Sequence, residues 1–210
     1  MQQQSTDMTD RLEFQPTVDA WACILENLCI SKIQIAMVIT GGGTGAISHC
    51  LRRSGASLNF VEAVVPYSRL ATQEYLGMEP IEGYASHQTA KALAKAAHRR
   101  AVSLSDTPHQ AFGIALTATL PTEAANSDTK LAQNCCIHAA SQSTDIGRGW
   151  SLCFKGQASQ RDVSESIAEQ LFLIALQDAL HQIGVTIELD PVLPLNAAGF
   201  TIKMTSSSDS

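Results

Sequence analysis

The segment "MVITGGGTGAIS" (37–48) offers chemistry through its backbone. An apolar run leads into Gly41, Gly42, Gly43 and Gly45, and a helix-like stretch follows. A strand–glycine loop–helix unit exposes N–H groups at a helix N-terminus, and these with the helix dipole favour an anion such as phosphate. Glycines let that ligand approach without a Cβ in the way. Two well-defined loop types fail on inspection. The GxxxxGK[ST] loop needs a lysine, and none stands here. The GxGxxG loop needs a third glycine, but Gly43-Thr44-Gly45 is followed by Ala46, Ile47 and Ser48. A tight turn holding no ligand is the competing reading. Thr40 and Thr44 add a second chemistry: a hydroxyl on such a turn attacks a carbonyl when a base is in reach and N–H groups hold the oxyanion.

Other side chains carry weaker signals. Tyr67 follows Pro66 at a strand end and can donate a hydrogen bond in a site or pack as a half-buried ring. Thr117 and Thr119, two apart, share one strand face. Arg161 near a helix start can meet a phosphate or point into solvent. Ser86 before a helical run reads as an N-cap. Lys91, Lys95 and Arg99 read as a solvated helix face. The six histidines show neither HxxxH nor HxH spacing, which predicts no metal site. The six cysteines show no CxxC spacing and sit mostly in apolar runs, which predicts buried reduced thiols rather than disulfides. Adjacent Cys135 and Cys136 point to opposite faces of a strand.

These residues need elements to position them. Helical spacing covers 18–32, and 87–104 carries an apolar stripe of Ala90, Leu93, Ala94, Ala97, Ala101 and Leu104. Short helices are expected before Gly55 and Gly77. Strands are expected at 33–39, 60–67, 111–120, 132–141 and 149–156, with a polar loop over 121–130. Asp162 with Glu165 resembles a helix-start capping pattern, and a helix follows through Val163, Ile167, Leu171 and Ile174 to Gly184. Strands alternating with helices predict an α/β fold, a three-layer α/β/α sandwich. Consecutive late strands make its sheet mixed, with about five strands.

With 210 residues the chain can bury one full core. We expect a disordered tail over 1–15, a single domain over 16–203 and a disordered tail over 204–210. A net charge of -6 argues against nonspecific nucleic-acid binding. No apolar run reaches the roughly 18–20 residues of a membrane span, and the start lacks a signal-peptide pattern, so a cytoplasmic protein is expected.

Several segments in order resemble one family, the C-terminal domain of the competence/damage-inducible protein CinA, whose members include nicotinamide-nucleotide amidases. They are "TGG" (40–42), "SGAS" (54–57), "VEAVVPYS" (61–68), "EYLG" (74–77), "GYAS" (83–86) leading into "TAKALAKAA", "FGIALTATLP" (112–121) and "FKG" (154–156). The resemblance implies a three-layer fold, often dimeric, and metal-free hydrolysis of the carboxamide of nicotinamide mononucleotide, with no cofactor. It implies Thr40 and Tyr67 as catalytic groups. Together with the loop chemistry and the strand-face pattern above, it gives Gly41, Gly42, Gly43, Thr44, Gly45, Ser68, Thr117, Thr119 and Arg161 as expected substrate contacts. The departures fall on the chemistry. The family's nucleophilic serine aligns with Val38 or, without a gap, with Thr40. Its lysine aligns with Thr72. Its Gly-Ile-Ala-Gly-Pro motif reads "TATLP", and its late Gly-Asp-Arg motif reads "GQASQRD", where Arg161 supplies the arginine. An inactive nucleotide-binding or dimeric interaction module of the same fold is the alternative.

Overall fold

In a computed structural model the described residues are 18–122, 133–156, 160–188 and 190–208. Helix α1 (Val18–Ser31) leads into strand β1 (Gln34–Thr40), and after the glycine loop come α2 (Gly45–Leu51) and β2 (Phe60–Val64). Helices α3 (Arg69–Leu76) and α4 (His87–Leu104) precede β3 (Ala111–Thr119), β4 (Gln133–Gln142) and β5 (Ile146–Gly156). Helix α5 (Arg161–Gln182), a short α6 (Leu193–Ala197) and β6 (Lys203–Ser208) are the last of the described elements. The expected N-terminal tail (1–15) and most of the expected loop over 121–130 lie outside the described residues.

The sheet order is β2-β1-β3-β4-β5-β6. Strands β2 and β3 run parallel to β1, while β4, β5 and β6 each run antiparallel to the strand before. Helices cover both faces, so the expected three-layer mixed architecture is the one observed. Its physical source is plain in β1. Ile35, Met37 and Ile39 enter the core shared with α1 and α5, while Ala36 and Val38 enter the core under α4. Both faces of the strand are buried, hence its unbroken apolar run. Under α4, Ala90, Leu93, Ala94, Ala97 and Ala101 are buried, and only Leu104 of the expected stripe is exposed. Small side chains let this helix approach the sheet closely. Ser86 caps α4 as expected, its hydroxyl accepting from Thr89 N at 3.1 Å.

Three expectations are corrected. First, among the described residues the sheet has six strands rather than about five, because residues 204–208, expected in a disordered tail, belong to β6. "KMTSSS" lacks an apolar pattern, but an edge strand is ordered by its ladder. Met204 pairs with Trp150, and the Thr205 and Ser207 hydroxyls reach His87 and Lys91 on α4. Lys91, expected in solvent, thereby gains a partner. Second, Cys136 and Cys153 form a disulfide rather than two buried thiols. They stand directly opposite on β4 and β5, a register that spacing in the sequence does not reveal. Cys135 does face the other way and is buried. Third, α5 has no side-chain cap: Gln160 occupies that position, and Glu165 is used elsewhere.

Candidate functional site at the β1–β3 crevice

Strand β1 connects through α2 to β2 on one side. The chain then returns through α3 and α4 to β3 on the other side of β1. The C-terminal ends of β1 and β3 therefore flank a topological switch point, where open α/β sheets place their ligands. The glycine loop, Tyr67 and Thr119 lie at that edge.

The loop is shaped by packing. Gly41 has φ 81°, and any side chain there would run into the carbonyl oxygen of Ala118 on β3. A left-handed backbone pressed against a neighbouring strand leaves room for glycine alone. The N–H of Gly43 donates to Glu165 Oε2. The other oxygen of that carboxylate accepts from Arg161 Nε and Nη2 at 2.9 and 2.8 Å, and Arg161 Nη1 donates to the Pro121 carbonyl at 3.1 Å. The loop thus receives an anion, and the anion is the protein's own. Gly45 abuts a second carboxylate, Glu169. Burial, and then the charge of Glu165, push the Glu169 carboxyl above its ordinary range. His49 Nε2 stands 3.6 Å from Glu169, and its ring stacks on Trp21 with centroids 4.6 Å apart. Burial and Arg52 lower its pKa, which favours the neutral imidazole.

Thr40 is 7% exposed, and its hydroxyl donates to the Pro66 carbonyl at 3.1 Å. Thr72, at the position of the family lysine, donates to the same oxygen at 2.8 Å and to Ser68 O at 3.1 Å. Thr40, one of the two positions that the resemblance offers for the nucleophile, and Thr72, aligned with the family lysine, thus direct their hydroxyls to one carbonyl. Tyr67 is 70% exposed. Ser68 Oγ caps α3 by accepting from Ala71 N at 3.1 Å. Thr44 is exposed. Thr117 is buried and donates to the Tyr84 carbonyl at 2.7 Å, while Thr119, on the same face, is exposed. A mostly apolar cavity of about 300 Å³ lies beside the first turns of α4, between Leu76, Met78, Ile81, Gln88 and Thr89.

The structure brings Thr40 and Thr117 together as paired residues and continues their row across the sheet to His138 and Ser151. Arg161 and Gly43 meet through Glu165, away from that row. The sequence reading missed Glu165, Glu169, His138 and Ser151. The acids stand four apart on α5, a spacing visible in the sequence, but what they face is not. Among the described residues no group of three or more His, Cys, Asp or Glu is placed to hold a metal ion. No helix among them is long and apolar enough to cross a membrane.

No family model matches the sequence, and no curated protein does. Solved structures do match. A competence or damage-inducible protein from Enterobacter asburiae is 14% identical, with a TM-score of 0.54 over 81% of this chain and 99% of its own. A competence-damaged protein (CinA) superfamily protein from Enterobacter cloacae is 12% identical, with a TM-score of 0.51 over 84% of this chain and 99% of its own. At such identities the likeness speaks for architecture, and the chain has the fold of the CinA-superfamily structures.

Proposed function

We propose that the chain is a non-amidase module of the CinA fold, which holds a small ligand of the mononucleotide class at the β1–β3 crevice without hydrolysing a carboxamide. One observation carries the reading: Thr40 and Thr72 both donate to the Pro66 carbonyl. A hydroxyl nucleophile needs a base within about 3 Å, and the Thr40 proton is directed to an oxygen that cannot remove it. Threonine is also more hindered at Cβ than serine. The ligand part of the reading rests on the switch-point position of the glycine loop. A homodimer, which the resemblance implies, is carried with this reading and is tested by light scattering.

The experiment is incubation of the purified protein with nicotinamide mononucleotide, with ammonia release and calorimetry read in parallel. We expect heat of binding and no ammonia, with Thr40→Ala leaving binding unchanged. Ammonia release that disappears in Thr40→Ala would restore the amidase reading. Absence of binding to any mononucleotide would remove the ligand part.

A further inference from the structure

From the cluster at the β5 end of the polar row, we infer that Ser151 is a nucleophilic serine able to accept an acyl group from an ester. It lies three strands from Thr40, roughly 14 Å at the usual strand spacing, and does not depend on the reading above.

Ser151 Oγ stands 2.7 Å from His138 Nδ1 and 3.0 Å from His87 Nδ1. A serine hydroxyl has one proton. In the tautomer that leaves one of the two Nδ1 atoms unprotonated, the hydroxyl donates to that nitrogen and accepts from the N–H of the other, which puts a base on the nucleophile. His87 is fixed from behind by Thr205, with Nε2 2.6 Å from its hydroxyl. The backbone is shaped for this ring: Gly149, two residues before Ser151 on the same face, has no side chain, and a Cβ there would collide with His87. His138 is 8% exposed and its ring stands edge-on to His87, with centroids 6.5 Å apart. His87 is also the first residue of an 18-residue helix, whose dipole favours negative charge at that end. Ser151 itself is partly exposed. Burial holds both imidazoles below the ordinary histidine range, which favours their neutral forms. Lys91 and Glu82 act on His87 in opposite directions, and Lys203 of β6 stands directly opposite Ser151.

In the transfer the Ser151 Oγ–C bond forms and the ester C–O bond breaks. The hydroxyl proton passes to the imidazole and from there to the departing alkoxide. No oxidant, reductant or metal is consumed.

The probe is phenylmethanesulfonyl fluoride, which replaces its S–F bond with an Oγ–S bond on an activated serine and releases fluoride. Peptide mass mapping of the intact chain should place one sulfonyl group on Ser151 and none there in Ser151→Ala. His138→Gln and His87→Gln, each confirmed as folded by circular dichroism, separate an activated serine from an exposed one. At least one should slow the modification by tenfold or more, given that a positioned general base contributes about 10²–10⁴-fold. Failure to label Ser151, or rates equal to wild type in both histidine variants, overturns the inference.

Discussion

Glu165 sends one carboxylate oxygen to the Gly43 N–H and the other to the Arg161 guanidinium. On the proposed reading a phosphate would use the same donors, so carboxylate and ligand would compete for one set. Removing the charge while keeping the shape separates the two roles. In Glu165→Gln the amide still reaches Gly43 through its oxygen, while Arg161 loses its ion pair. Phosphate binding, measured by calorimetry with nicotinamide mononucleotide, should then tighten, because one opposing charge is gone and one guanidinium is released. Unchanged or weaker affinity would show that the ligand does not use the loop. In Glu165→Ala the Gly43 N–H loses its acceptor, and a loss of about 1–3 kcal/mol in urea unfolding is expected.

Strands β4 and β5 form the longest pairing in the sheet, from Gln133↔Gly156 to Gln142↔Gly147, and the Cys136–Cys153 bond crosses it. The bond closes 17 residues of sequence. A loop of about this length gives roughly 3 kcal/mol by restricting the unfolded chain. Reduction should lower the urea midpoint by that order while leaving the far-ultraviolet spectrum unchanged, since the ladder persists without the link. An unchanged midpoint under dithiothreitol would mean that the thiols are not joined in solution. The elements also show what the sequence displays and what it hides. Helix α4 and strands β1 and β3 are legible because each buries a periodic or continuous apolar set. Strand β6 is hidden because its order comes from backbone pairing and from polar contacts with α4. The disulfide is hidden for a related reason: Cys136 and Cys153 are neighbours through register, and register is a property of two strands. The candidate site divides the same way. Thr40 and Thr117 lie on legible strands and the glycines directly follow one, whereas Glu165 reaches the loop from a helix 122 residues later.

Across the whole molecule, the Thr40–Thr117–His138–Ser151 row crosses the sheet face beneath α4, and its histidine couples global stability to pH. Burial first, and then the neighbouring His87, push the His138 pKa down to about 4 from the ordinary histidine value of 6.5. The folded state therefore holds His138 neutral through a range in which the unfolded chain protonates it. The unfolded state binds more protons there, so stability rises with pH across that window. The contribution is complete above about pH 6.5 and is lost progressively as the pH falls toward 4. Its full size, from the free-energy value of a pKa shift, is on the order of 3 kcal/mol. His87, His98 and His49 are also lowered and act in the same direction. The raised Glu169 carboxyl opposes them, since its folded form takes up a proton more readily than the unfolded chain. A single acid titration mixes these groups, so the test is a difference. Unfolding free energies of wild type and His138→Gln, measured by urea at several pH values between 6.5 and 4, should converge as the pH falls. Glutamine keeps a polar partner for Ser151 but carries no titratable nitrogen. Two parallel curves would show that His138 keeps the same protonation in both states, and the low-pKa assignment would be withdrawn.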